Sequence, residues 1–289
     1  MSRRRTKQTP AKKPGLLRRL LSRSLQLLLL IVLLDAAYLW WLTPDWEALA
    51  TGPTPKSAFI KDYEAQRNND AKLPTLRWQP VPLSAIAKPM RRAVIVAEDS
   101  RFYEHEGFDV AALQDAWEYN LERRTLAIGG STLSQQLAKN LFLTPSRNPL
   151  RKWHEIWLTL IMERQLSKRR ILELYLNVAE FGPGIYGVEA ASRKYWGISA
   201  RQLSSQQAIE LAATLPGPKK HNPATRTKFF KNKVKKISRH MRVGAVATPI
   251  PEKREALTTE PLPTPELMPE IAPEPDTEPA PDPAPEPVL

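Results

Sequence analysis

Residues 87–109 read AKPMRRAVIVAEDSRFYEHEGFD, and the first half of this stretch decides the fold class. Met90, Ala93, Val94 and Ala97 recur at three- and four-residue spacing behind Pro89, a residue suited to the first turn of a helix and to nothing further in. The same period returns in DVAALQDAWEYNLE, STLSQQLAKNLFL, RKWHEIWLTLIMERQLS, KRRILELYLNVAEF, YGVEAASRKYWG and SSQQAIELAATLPG. Breakers separate these segments: AIGG, TPSRNP, GPG and LPGP. No long alternating run and no internal repeat interrupts the pattern, so the folded part is mainly α. The second half of the opening stretch raises a chemical question. It gathers Glu98, Asp99, Glu104, Glu106 and Asp109 around His105 in a chain of formal net charge +13.

Working outward, the charge is unevenly spread over the 289 residues. Arg3, Arg4, Arg5, Lys7, Lys12, Lys13, Arg18, Arg19 and Arg23 precede any acid, whereas the C-terminal PEPDTEPAPDPAPEP is acidic and proline-dense. Cysteine is absent, which excludes disulfides and thiol nucleophiles. Ser24–Leu42, SLQLLLLIVLLDAAYLWWL, is about long enough to span a hydrocarbon core of roughly 30 Å. Basic residues before it favour a cytoplasmic N-terminus, and Tyr38, Trp40 and Trp41 suit the far interface. Asp35 is a polar defect close to that aromatic end. A cleaved signal peptide is the competing reading, but it would leave an unusual aromatic mature N-terminus.

Five segments follow: a basic segment 1–23, a membrane helix 24–42, a proline-interrupted connector 43–79, a helical domain 80–242 and a Pro/Glu-rich tail 243–289 expected to be disordered. The tail reads as a spacer, a docking peptide for other proteins, or a dispensable extension.

Three constellations carry the chemistry. Glu98 follows the apolar run AVIV, where partial desolvation raises a carboxylate pKa and fits it for general acid–base work; the competing reading is a solvated helix end. No HExxH, calcium-loop spacing or Cys/His cluster supports a protein-ligated metal. In AIGGSTLSQQLAKNLFL two glycines and Ser131–Thr132 lead into a helix N-terminus able to bind an anion. Gln136, Lys139 and Asn140 then share one helix side, Gln135 lies next to them, and the bland alternative is an N-capped helix with a polar face. In the third segment Arg147, Arg151 and Lys152 surround Glu155, a suitable surround for a phosphate, although surface ion pairs look the same in sequence.

EDSRFYEHEGFD, GGSTLSQQLAKNLF, RKWHEIWLTLIMERQLSKRRILELYLN and AEFGPGIYGVEAASRKYWG, in that order, resemble the motifs of bacterial peptidoglycan glycosyltransferases, glycosyltransferase family 51. The likeness covers about residues 80–242, with Ser134 standing where the family usually has threonine. It implies a lysozyme-like α fold that polymerises lipid II into glycan strands at the bacterial inner membrane, with the domain periplasmic and a single membrane pass. Glu98 then matches the base, assisted by Asp99, and Glu155 the second essential carboxylate. Lys139, Arg147 and Arg151 match positions that contact diphosphate, Lys152 beside them remains a substrate-binding candidate from its charge, and Thr132, Gln135 and Gln136 match the cleft wall. Phe102 and His105 resemble residues that build the site. The implied partners are lipid II, the growing glycan, the membrane and other wall-synthesis or division proteins, with no nucleic acid. Mg²⁺ or another divalent cation would enter mainly through the substrate diphosphate. No SxxK, SxN and KTG set follows, so no transpeptidase is expected. A lysozyme-like hydrolase, a lytic transglycosylase and a non-catalytic scaffold are the competing functions.

Overall fold

The computed structural model describes residues 16–123, 130–145 and 149–243. It is mainly helical. A long N-terminal helix, α1 (Leu16–Leu42), contains a stretch, Leu20–Leu42, long and apolar enough to cross a membrane. The short helices α2 (Trp46–Thr51) and α3 (Ala58–Asn69) follow, each opened by a side-chain cap, Asp45 and Ser57 respectively. Residues 43–79 therefore build local structure between their prolines, and Leu49, Ile60 and Tyr63 join the hydrophobic core.

The core is centred on α4 (Lys88–Glu98), which buries Met90, Ala93, Val94 and Ile95. It packs against α10 (Ser205–Thr214) and α11 (Lys228–Val243). On the other side α6 (Leu133–Phe142) packs on α7 (Pro149–Gln165) and α8 (Lys168–Val178). The helix α5 (Val110–Arg123) keeps Val110, Leu113, Trp117 and Leu121 exposed. Its apolar spacing belongs to a surface helix, not to the core.

A small sheet of order β1-β3-β2 joins β1 (Arg77–Trp78) in parallel to β3 (Ile185–Tyr186), which pairs antiparallel with β2 (Glu180–Gly182). The GPG turn between β2 and β3 needs its last glycine: Gly184 has φ +70°, and a Cβ there would lie 2.5 Å from the Tyr63 hydroxyl. Gly187 opens α9 (Val188–Trp196) at φ +81°. Side chains open two further helices, with Ser167 capping α8 and Ser204 forming a capping box on α10.

Asn177 fastens the chain before the domain to α8. Its fully buried amide receives the Val81 N–H at 2.8 Å and donates to Val81 O at 2.8 Å and Glu173 O at 2.9 Å. Asn177→Ala strands several buried polar groups at once and is expected to cost about 2–4 kcal/mol, measured as a lower denaturant midpoint.

Candidate active site

The helix α4 ends at the two acids of the opening stretch. Glu98 is its last residue, and Asp99 leaves the helical conformation as its C-cap. Asp99 turns inward, where its carboxylate accepts from His105 Nε2 at 3.0 Å and from the Leu133 amide at 2.9 Å. The anion held by the N-terminus of α6 is therefore the protein's own. Asp99 joins the start of α6 to the loop after α4, and Thr132 does so again by donating to Gly107 O at 2.6 Å. The other acids divide by position: Asp109 takes a two-pronged contact from Arg101 at 2.7 and 2.9 Å and caps α5 through the Ala112 amide, while Glu104 and Glu106 face solvent.

Glu98 has a different environment. One oxygen, Oε2, accepts from Gln136 Nε2 at 3.0 Å. The Gln136 amide is fixed in that orientation because its own oxygen accepts from the buried Tyr175 hydroxyl at 2.9 Å. The second oxygen, Oε1, is buried, makes no hydrogen bond, and lies 3.9 Å from Lys233 Nζ. Burial pushes the Glu98 carboxyl above its ordinary value; the Gln136 hydrogen bond and Lys233 oppose the rise, neighbouring Asp99 adds to it, and Lys139 opposes it. A desolvated carboxylate with one pinned oxygen and one oxygen free of hydrogen bonds is arranged to take a proton from a hydroxyl.

Across α6 lie the cations. Burial lowers the Lys139 pKa; Glu155 and Glu98 act against that, whereas Arg151 and Lys152 reinforce it. Both carboxylates therefore act on Lys139, whose ammonium stands 5.9 Å from the Phe59 ring. On α7, buried Glu155 pairs with Lys152, one turn earlier. Arg151 Nε is buried without a hydrogen-bond partner. Glu98 and Gln136 on one side, and Lys152 and Glu155 on the other, are in direct contact within each pair, and Lys139 feels Glu98, Arg151, Lys152 and Glu155. Arg147 lies outside the described residues. Thr132 and Gln135 are brought close but face inward, where they form the capping box of α6. Among the described residues no group of three His, Asp or Glu side chains converges as metal ligands would.

Two members of this site were not legible as such in the sequence. Lys233 sits in the basic segment KKHNPATRTKFFKNKVKKISRHM; the available signal was the spacing of Phe230, Val234 and Ile237, which buries one stripe of α11 and puts Lys233 at its edge. Tyr175 reads as one more core residue of ILELYLN, and its hydroxyl finds Gln136 only in three dimensions.

A further carboxylate, Glu180 of β2, is mostly buried, with Oε1 lacking a hydrogen bond and Lys219 4.0 Å away. Burial lifts its pKa to about 7, partly countered by Lys219. A raised folded-state value favours the protonated form, so Glu180 stabilises below its unfolded pKa of 4.5 and that contribution is lost as pH rises through about 7. Glu180→Gln is expected to flatten the fall in Tm between pH 5 and pH 8, by an amount equivalent to roughly 1–3 kcal/mol.

Comparison with known proteins gives a family. The family description Transglycosylase matches residues 69–242. The chain is 45% identical over 215 residues to the biosynthetic peptidoglycan transglycosylase of Thiobacillus denitrificans, covering 74% of this chain and 88% of that protein. It is 46% identical over 181 residues to the protein of the same name from Nitrosospira multiformis, covering 63% and 77%. With that of Methylobacillus flagellatus it shares 40% identity over 236 residues, covering 80% of this chain and the whole of the relative. With the family description matching more than half of its length, and the motifs of the match forming one site, the chain belongs to the transglycosylase family.

Proposed function

We propose that this peptidoglycan glycosyltransferase polymerises lipid II by a single inverting displacement in which Glu98 is the base. The observation that carries the reading is the Glu98 carboxylate: buried, pinned through one oxygen by Gln136, with the other oxygen making no hydrogen bond. A sugar hydroxyl of the acceptor passes its proton to Glu98 as its oxygen attacks the donor anomeric carbon. The bond from that carbon to the diphosphate breaks on the opposite side, so an α-linked donor gives a β-1,4 product without a covalent enzyme intermediate. Lys139, Arg151 and Lys152 supply charge to the departing diphosphate, with Glu155 orienting Lys152. Asp99 acts as the support beneath the base, through His105 and the start of α6. A divalent cation, where required, arrives on the diphosphate as its counter-ion.

The hydrolase alternative needs no diphosphate site and leaves the cation set without a role. Tyr38, Trp40 and Trp41 after an apolar span, with basic and no acidic residues before it, support a single pass with the folded domain on the outer face of the inner membrane.

The test is incubation of the purified chain in detergent with labelled lipid II and, separately, with finished glycan. Long glycan from the first and no cleavage of the second is expected; cleavage without polymer would overturn the reading. In the same assay Arg151→Ala is expected to lower turnover by roughly 10–100-fold, through loss of a charge that acts on the leaving group.

A further inference from the structure

Asp35 is the one acid of α1, and a carboxylate inside an apolar span is costly without a partner. The fold provides one from the catalytic domain: Asp35 Oδ1 accepts from His154 Nε2 at 2.7 Å. His154 is buried, and the Tyr38 ring, nearly one turn beyond Asp35, stands 5.3 Å from the imidazole. Asp35 lies about 10 Å along the axis before the end of α1 at Leu42, from the rise per residue of a helix. The N-terminal half of α7 therefore lies beside the last turns of α1, not beyond them.

What α7 shows at that level is consistent. Leu150, Trp153 and Trp157 are exposed, and the two tryptophan rings meet edge to face at 5.7 Å, an amphipathic pair suited to the membrane interface. Residue 154 sits between Lys152 and Glu155, which pair with each other. A contact at His154 consequently ties the height of the turn that carries Arg151, Lys152 and Glu155 to the membrane helix.

We propose that Asp35 and His154 form a polar latch between the membrane helix and α7, positioning the turn Arg151–Glu155 at the depth where the diphosphate of a bilayer-borne lipid substrate lies. The proposal rests on the reading of that turn as the diphosphate site. Both latch members are positioning residues; neither touches the reacting atoms.

The test uses the full chain in two settings: vesicles of phosphatidylethanolamine and phosphatidylglycerol containing undecaprenyl lipid II, and detergent with a short-chain, water-soluble lipid II analogue. Asp35→Leu and His154→Leu are expected to lower kcat/KM on the vesicle substrate by roughly tenfold, the size of loss that misplaced binding groups produce, and to change it less than about twofold on the soluble analogue. The exchange Asp35→His with His154→Asp keeps one donor and one acceptor and is expected to regain most of the vesicle activity. Equal losses in both settings, no loss in either, or an exchange variant no better than the single ones would overturn the latch. Arg151→Ala, assayed alongside, separates the premises: it should fail in both settings, and full activity in both would remove the diphosphate reading whatever the latch variants do.

Discussion

Glu98→Gln is expected to reduce polymerisation by about 10²–10⁴-fold, the usual contribution of a positioned base, while making the protein more stable at neutral pH. The two effects share one cause. Burial raises the Glu98 pKa, so the ionised form needed for proton removal is the form the fold disfavours. With a folded-state pKa above the unfolded one, its favourable contribution is present at acid pH and is lost as pH rises through the folded value. Gln136 fixes one oxygen only, leaving Oε1 buried and without a hydrogen bond. A neutral amide removes the buried charge and should raise Tm, with the gain shrinking as pH falls below the carboxylate range. A mutant that is inactive and also less stable at neutral pH would show damage to the fold instead of removal of a base.

The second large effect concerns Lys233. At 3.9 Å from Glu98 Oε1, its ammonium favours the ionised base and opposes the burial that raises it. Asp99 acts in the opposite sense; Gln136 and Lys139 act with Lys233. Lys233→Met should therefore move the acid limb of the pH–rate profile to higher pH. The loss is expected to be roughly tenfold or more on that limb and to diminish at alkaline pH, because a cation at this distance retains sizeable Coulomb energy in a partly buried site. Lys233→Arg keeps the charge and should keep the limb near its original place. A uniform loss at all pH values would assign Lys233 to packing of α11 on α4, with no electrostatic part in the reaction.

The sequence made the helical class and an N-terminal helix long and apolar enough to cross a membrane legible, and it marked Glu98 and Glu155 as candidates, each for a local reason. Three- and four-residue apolar spacing is a property of α4, α6 and α8 taken singly, and it persists in the structure. The span was read from Ser24, whereas α1 begins at Leu16: the preceding arginines form helix as readily as the leucines do, so helix and apolar core have different starts. Periodicity leaves the setting of α5 open, because an apolar face looks alike whether it packs inside a protein or stays exposed, as Val110, Leu113, Trp117 and Leu121 do. Thr132 and Gln135 stood out as polar residues beside a helix start, and the structure spends both on the capping box. Lys233, Tyr175 and the partner of Asp35 share a different obscurity. Each makes its decisive contact with a residue far along the chain, and no spacing rule carries that information.

The central claim is one inverting displacement with Glu98 as base, and its most direct test is stereochemical. Lipid II labelled with ¹³C at the donor anomeric carbon would be followed by NMR during turnover by the wild-type chain. The account predicts that the α-diphosphate signal is replaced by a β-glycosidic signal in polymer, and that Glu98→Gln leaves the α signal in place. Retention of the α configuration in the product, or an unchanged rate in the Glu98→Gln protein, would contradict it.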